Sequence, residues 1–330
     1  MRILVTGGAG FIGSHLILQW IKESPGDQIL NLDKLGYASN LDYLKGVAGS
    51  PAYQFQQVDL VDRARVKEAV QAFRPEGVIH LAAESHVDNS IKDPQAFVNS
   101  NVVGTFNLLE ECRQLWLTGD LKAPPFVHVS TDEVYGSLGP TGVFTEKTPY
   151  APNSPYSASK AASDHFARAY HVTYGMRVMI THCSNNFGPH QHAEKLIPTV
   201  IRTALKGQPI PVYGNGKNKR DWLYVTDHCD AITRVFKRGQ AGGVYNIGAE
   251  HELENIKMVE TICQSLNELV GKGPQGDYAN LIQFVTDRLG HDFRYAIDST
   301  RVREELGWRP AGEFEGQLRA TVKWYLERMA

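Results

Sequence analysis

The first thirteen residues restrict the possible folds more than any other stretch of the chain. A β-rich run, Ile3-Leu4-Val5, leads into Gly7-Gly8-Ala9-Gly10-Phe11-Ile12-Gly13, and an apolar helical segment follows from Ser14 to about Lys22. Strand, glycine turn and helix stand in the order a dinucleotide-binding unit requires. Gly7 permits the tight turn, Gly10 lets backbone approach a pyrophosphate, and Gly13 lets the helix pack closely on the strand, with the phosphates at the helix N-terminus. A second strand, Ile29 to Leu32, ends at Asp33, twenty residues after Gly13. A carboxylate there accepts hydrogen bonds from an adenosine ribose 2′-hydroxyl and repels a 2′-phosphate, so the expected cofactor is NAD rather than NADP. The neighbouring Lys34 argues in the opposite direction.

The alternation continues with a strand near Tyr53 to Gln57 ending at Asp59, a helix from Asp62 to Phe73, and the apolar strand Gly77 to Leu81. Short apolar runs separated by helical patterns predict a parallel sheet covered on both faces. Asp59 either holds an adenine amino group or caps the helix. The small, polar stretch Ala82-Ala83-Glu84-Ser85-His86 suits close approach to cofactor phosphates and nicotinamide ribose. A long helix from about Pro94 to Trp116 carries Phe97, Val98, Asn101, Thr105, Leu108 and Leu109, a broad apolar face whose outer part is available for dimerisation.

A strand from Phe126 to Ser130 runs directly into Thr131-Asp132-Glu133. In an open α/β sheet the carboxyl ends of strands face the ligand crevice, which aims this acidic pair at a bound molecule; by itself the same pair reads equally well as a solvated turn. After a Pro/Gly-containing loop from Leu138 to Pro155, Tyr156-Ser157-Ala158-Ser159-Lys160 opens a helix, placing Tyr156 and Lys160 one turn apart on one face. A phenol titrates at about 10 in water, and a neighbouring ammonium together with a positive nicotinamide ring favours the phenolate.

A sixth strand, Arg177 to Cys183, ends in Ser184-Asn185-Asn186-Phe187-Gly188-Pro189, another polar terminus on the same crevice. Pro189 to Gly216, rich in Pro, Gly and His around a helix from Glu194 to Leu205, reads as an inserted substrate lobe. Tyr224 to Arg238 predicts a helix and Gly243 to Ile247 a strand, both returning to the main sheet. The expected architecture is α/β: a Rossmann-type doubly wound parallel sheet with a smaller, mostly helical substrate lobe. Residues 1–186 plus about 224–248 would form the NAD-binding part, and about 187–223 plus 249–330 the substrate lobe.

Composition narrows the partner. With 330 residues, 42% hydrophobic and 21% charged, the chain can bury a full core, while a net charge of -2 without a long basic run argues against nucleic acid and membrane surfaces. A small molecule is the expected partner. Cys112, Cys183, Cys229 and Cys263 lack C-x-x-C spacing, no apolar run approaches the roughly 18 residues of a membrane span, and no export signal is read; a cytoplasmic setting is expected. His190 and His192, near His182, lack a clear third ligand, so no metal site is expected. Arg220, Arg288 and His291 are cations spread over the second lobe, where guanidinium forks suit a diphosphate.

Several longer pieces belong together: Thr6 to Ser14, Leu81 to Asp88, Ser130 to Gly136, Tyr156 to Lys160, Cys183 to Asn186, Glu194 to Pro198, Arg220 to Val225 and Asp287 to Asp298. With these the chain resembles, nearly end to end, the extended short-chain dehydrogenase/reductase superfamily and, within it, the sugar-nucleotide 4,6-dehydratases. The glycine and Tyr-Lys pieces are shared with epimerases and decarboxylases; the Thr-Asp-Glu triplet and the second-lobe pieces point to the dehydratases.

The resemblance implies an NAD-retaining lyase that converts dTDP-glucose to dTDP-4-keto-6-deoxyglucose. UDP-glucose is the alternative substrate, and a 4-epimerase or decarboxylase the alternative reaction. Tyr156, aided by Lys160 and Thr131, would take the C4 hydroxyl proton while C4 passes hydride to NAD. Glu133 would take the C5 proton, Asp132 would protonate the departing C6 hydroxyl, and hydride would return to C6. The implied cofactor residues are Gly7, Gly10, Phe11, Ile12, Gly13, Asp33, Lys34, Asp59, Leu60, Leu81, Ala82, Ala83, Ser85, Ser100, Tyr156, Lys160 and Asn186. The implied substrate residues are Glu84, Thr131, Asn185, Lys195, Leu196, Pro211, Tyr213, Arg220, Asn255, Arg288 and His291. A homodimer through a helical bundle is implied as well, supplied by the Pro94 to Trp116 helix and that from Tyr156 to Tyr174. The chain departs from the family pattern at His190, His192 and Ala193, where Tyr, Phe and Pro are usual, and at Leu289 in place of proline.

Overall fold

The computed structural model describes residues 1–117, 124–287 and 291–329. The chain opens with β1 (Arg2–Thr6), α1 (Phe11–Glu23) and β2 (Gln28–Asp33), the unit announced by the glycines. Then come β3 (Tyr53–Gln57), α2 (Arg63–Phe73) and β4 (Gly77–His80). Asp62 caps α2, its carboxylate accepting from Arg65 N–H at 3.1 Å, whereas Asp59 closes a turn by accepting from Val61 N–H at 3.0 Å.

A short helix that periodicity alone does not reveal, α3 (Val87–Lys92), precedes the long one. The long helix is not regular. It starts as α4 (Pro94–Phe97), widens by one residue per turn over Val98–Val103, and continues as α5 (Gly104–Leu117). The widened turn has a use: it presents Ser100 to Lys34 Nζ at 2.8 Å and Asn101 Oδ1 to the Glu84 N–H at 2.8 Å. β5 (Phe126–Thr131), α6 (Pro155–Tyr174) and β6 (Val178–Cys183) follow. Sharp local signals delimit α6: a reciprocal Ser154/Ser157 cap with Pro155 in the first turn, and Gly175 at φ +71 at the end.

The second half contains β7 (Asn185–Phe187), α7 (Leu196–Leu205), β8 (Ile210–Tyr213), β9 (Lys219–Tyr224), α8 (Val225–Arg238), β10 (Val244–Ile247), β11 (Glu252–Glu254), α9 (Asn255–Val270), β12 (Ile282–Val285), α10 (Thr300–Leu306) and α11 (Phe314–Met329). Seven strands form one parallel sheet in the order β10-β6-β5-β4-β1-β2-β3. Consecutive residues Ile3, Leu4 and Val5 are at most 1% exposed, which requires cover on both faces. One face packs on α1, α8 and α10 through Leu16, Ile17, Ile232, Phe236 and Leu306. The other packs on α2, α5 and α6 through Val66, Val70, Leu109 and Ala167. Each such fully buried aliphatic side chain stabilises the fold by roughly 1.5–3 kcal/mol.

The strand order reverses at β1, which has β2 on one side and β4 on the other, and the crevice above their carboxyl ends is where ligands of such sheets bind. A separate core of Phe187, Ile201, Trp222, Ile262 and Leu318 joins α7, α9 and α11 to two small sheets, β11-β9-β7 and β12-β8. The lobe is mostly helical, with two small sheets added to its helices. No helix of the described residues is long and apolar enough to cross a membrane.

Candidate active site

A cavity of about 320 Å³ lies over the strand-order reversal. Its cofactor half is shaped by backbone. Gly7 has φ +72, and a Cβ there would meet Ala82 N at 2.6 Å; a Cβ on Gly13 would meet Gly7 O at 2.2 Å. No side chain caps the first turn of α1, which starts at Gly10, so its leading N–H groups face the cavity as a phosphate cradle. The buried Asp33 carboxylate accepts from Ala9 N–H at 3.0 Å, Leu35 N–H at 2.8 Å and Ser39 Oγ at 2.9 Å. A carboxylate offers about four acceptor positions, which leaves one for a ribose hydroxyl. Lys34 is drawn away: its ammonium donates to Glu84 Oε1 at 2.6 Å and to Ser100. Its charge is matched by Glu84 rather than offered to a 2′-phosphate. These residues fit NAD.

The chemical half is built by β5, the turn after it, and α6. Thr131 ends β5 and its hydroxyl accepts from Glu133 N–H at 3.3 Å, folding Asp132–Tyr135 into a single tight turn. Asp132 is 2% exposed, and its Oδ2 has no hydrogen-bond partner. Burial first, then the charges of Glu133 and Asp221, push its carboxyl well above the usual range. Burial favours the neutral, acidic form of this carboxyl, beside a half-buried Glu133.

Tyr156 and Lys160, on adjacent turns of α6, are both buried and line the same cavity. Lys160 Nζ donates to Val129 O at 2.9 Å. Burial and then Glu133 push the Tyr156 phenol well above its ordinary range, against a hydrogen bond from Thr131. Among the chain's own groups, burial and the Glu133 charge therefore favour the phenol.

Comparison with known proteins now bears on this geometry. The family described as GDP-mannose 4,6 dehydratase matches residues 4–321. The dTDP-glucose 4,6-dehydratase of Neisseria meningitidis serogroup B is 52% identical over 99% of this chain and 93% of its own length. That of Salmonella typhimurium is 50% identical over 99% and 93%. The chain belongs to the dTDP-glucose 4,6-dehydratase family. A crystal structure of the Streptomyces venezuelae dTDP-glucose 4,6-dehydratase with NAD and dTDP bound superposes with TM-score 0.91 at 43% identity, covering 99% of this chain and 97% of that one. A Thermus thermophilus UDP-glucose 4-epimerase complexed with NAD reaches 0.86 at 30% identity, covering 99% of both. The fold alone therefore does not separate dehydratase from epimerase.

Every residue that the sequence assigns to the cofactor lines the cavity, as do Glu84, Thr131, Asp132, Glu133, Asn185 and Lys195. His228, on α8, meets the Asn186 side chain at 2.9 Å and fixes its amide. Leu196, Pro211, Tyr213, Arg220, Asn255 and His291 do not line it. Leu196 packs against the second core. Arg220 is buried, its guanidinium donating to the carbonyls of Lys219, Asp292 and Phe293 and lying 4.3 Å from the Tyr295 ring centroid. Tyr213 and His291 neighbour each other with ring centroids 6.4 Å apart. Pro211 sits on β8 and Asn255 starts α9. Arg288 and Leu289 lie outside the described residues.

Sequence reasoning gives no cofactor or substrate role to Tyr37, Ser39, Gln191, His192 and Glu194, which also line the cavity, or to Tyr295, whose phenol feels the Glu133 charge. All of them stand in loops without periodicity. The role of His182 is also structural: its ring joins Asp164 at 3.0 Å to Tyr135 at 2.7 Å, tying α6 to the acidic turn.

These burials set an acid sensitivity. Burial holds His80, His128 and His228 below the ordinary histidine value, His128 at about 4 and His228 at about 3. Below about pH 6.5 the unfolded chain protonates these rings and the native state does not, so stability falls with pH. Asp132 and Asp221, raised by burial, act in the opposite sense. His15 and His190 are lowered as well, so the neutral rings outnumber the two raised carboxyls and stability should fall as pH drops from about 6.5 towards 5.5. Urea unfolding at several pH values measures this slope; a flat or inverted profile would contradict the assignment of neutral buried rings.

Proposed function

We propose that the protein converts dTDP-glucose to dTDP-4-keto-6-deoxyglucose and water, with NAD retained throughout. The observation that carries this reading is the buried Asp132, its carboxyl raised above the ordinary range and one oxygen without a hydrogen-bond partner, beside Glu133 on the wall of a cavity shared with Tyr156 and Lys160. Tyr156 with Lys160 serves any sugar-nucleotide oxidation; an acid next to a base is needed only when water must leave.

The glycine turn, with Asp33 at the adenosine ribose and Asn186 at the nicotinamide, would hold NAD, which would supply the acceptor and later the donor of the two electrons moved from C4 to C6. Tyr156 takes the C4 hydroxyl proton, with Thr131 orienting the phenol and Lys160 lowering its cost of ionisation. The C4 ketone acidifies the C5 hydrogen. Glu133 removes that proton, and Asp132 donates its own to the C6 hydroxyl, which leaves as water. Glu133 then returns a proton to C5. Tyr156 ends with one proton more and Asp132 with one fewer, so exchange with water resets the site.

The division of the chain follows the chemistry: residues 1–186 plus about 224–248 hold NAD, and about 187–223 plus 249–330 hold the nucleotide. In the second part we assign Lys195, Leu196, Pro211, Tyr213, Arg220, Asn255, Arg288 and His291 to dTDP, with Glu84 and Asn185 nearer the sugar. We assign the protein to the cytoplasm, as a homodimer. Phe166, Val172 and Tyr174 of α6, 39%, 63% and 42% exposed, give that helix an outward apolar face beside α5 that suits a second copy.

The test incubates purified protein with dTDP-glucose and follows the nucleotide sugar by mass and proton NMR. Loss of one water with a ketone at C4 is the expected result. An isomer of unchanged mass would point to 4-epimerisation, and turnover of UDP-glucose alone would reassign the nucleotide.

A further inference from the structure

The strap between β7 and α7, residues 188–195, carries a ring stack that the chemistry above does not use. His190 sits at φ +69, in the left-handed region that is costly for a residue with a Cβ. Its imidazole stacks on Tyr43, with centroids 4.0 Å apart and planes at 1°, and on His15, 4.5 Å apart at 28°. Trp324 of α11 meets its edge at 5.3 Å, and its Nδ1 lies 3.0 Å from Ser14 Oγ in the first turn of α1. One ring therefore joins the phosphate-cradling helix, the turn after β2, the strap and the last helix. Burial, then the nearby His15 and Arg328 charges, hold it at about 3, so it is neutral in the stack.

The strap is also a cavity wall. Gln191, His192, Glu194 and Lys195 face the same space as Gly10 and Gly13. Further bonds fasten it: Tyr325 donates to Gln191 O at 2.6 Å, Tyr37 to Glu194 Oε1 at 3.0 Å, and Lys195 to Ser85 O at 3.0 Å. Electrons taken at C4 return to C6 of the same sugar, so a cofactor lost between those steps strands the intermediate.

We propose that His190, clasped by Tyr43 and His15, is the positioning residue that retains NAD: it pins the strap across the cofactor half of the cavity, and the dinucleotide leaves only when the stack opens. This rests on the assignment of NAD to the glycine turn.

The experiment follows release of NAD from the holoenzyme after dilution into cofactor-free buffer. Glycine accepts φ +69 freely, so His190→Gly removes the ring without adding strain. Losing two stacked contacts should speed release about tenfold or more, while His190→Phe, which keeps the stack and loses only the Ser14 bond, should stay within about threefold of the parent. Should His190→Gly fail to fold, Tyr43→Leu opens the stack from the other side and should give the same faster release. A parent protein that holds no NAD would remove the cofactor assignment itself. A parent that holds NAD, with the ring-deleting variant releasing it at the parental rate, would overturn the role of His190 alone.

Discussion

Asp132→Asn is expected to lower overall turnover by about 10²–10⁴-fold while leaving the first step, oxidation at C4, close to its original rate. The reason lies in the state of the carboxyl. Asp132 is buried, is pushed well above the ordinary range by that burial and by Glu133 and Asp221, and has one oxygen without a hydrogen-bond partner. Burial favours its neutral form, and asparagine is the neutral residue of closest shape. The variant should therefore fold like the parent, and its melting temperature serves as the control. What asparagine cannot do is surrender a proton to the leaving C6 hydroxyl. In deuterated water the variant should still exchange the C5 hydrogen through Glu133 but release no water. Glu133→Gln should behave differently, forming the 4-ketone in a single turnover yet exchanging nothing at C5. If both variants lose exchange equally, the split into one acid and one base is wrong. If both retain full turnover, the acidic turn is not the site of elimination.

How much of this could be read from the chain depends on where the signal is stored. The seven-stranded sheet was legible because its strands are continuous apolar runs and its turns carry glycines whose removal is sterically impossible: Gly13 has Gly7 O within 2.2 Å of where a Cβ would sit. The order of chemistry was legible because Thr131-Asp132-Glu133 and Tyr156 through Lys160 follow strand ends and open helices. β7, β9 and β11 were not legible. β7 and β11 are short, and in β9 Lys219-Arg220-Asp221 carries charge that only the surrounding packing makes compatible with burial. Periodicity reports burial on one face of a long element, and β7 and β11 are too brief to show one. The widened turn at Val98–Val103 was hidden for another reason: its residues keep a helical pattern, and only the hydrogen bonds of Ser100 and Asn101 show why the extra residue is there.

The cavity wall at 191–195 was partly hidden too. Lys195 and Leu196 come from a piece that resembles the family, but His190, His192 and Ala193 break its pattern, and no periodicity announces a stack assembled from residues 15, 43, 190 and 324. Such a feature exists only in three dimensions. The second-lobe cations illustrate the converse: Arg220 was legible as a charge but not as a buried one, since its bonds to the carbonyls of Asp292 and Phe293 depend on a chain segment seventy residues away.

Tyr156→Phe is expected to abolish the step that Asp132→Asn spares. Without a phenol there is no group at that point to take the C4 proton, so oxidation at C4 should fall by about 10²–10⁴-fold with the later steps starved of substrate. The partner variant, Lys160→Met, tests the electrostatics. Burial and Glu133 hold the Tyr156 phenol high against the Thr131 hydrogen bond, and Lys160, itself lowered by burial and supported by the Asp164 carboxylate, is a cation one turn along the same helix and on the same cavity. An ammonium favours the phenolate, so deleting it raises the phenol further and a higher pH is needed to ionise it. The acid limb of the kcat/KM profile should therefore move to higher pH in Lys160→Met, with activity at neutral pH reduced and partly recovered as pH rises. Methionine fills the same buried volume but leaves Val129 O without its donor, a loss that stability measurements report separately. A profile that keeps its acid limb while losing height would show that Lys160 positions the cofactor or Tyr156 rather than setting the phenol's ionisation.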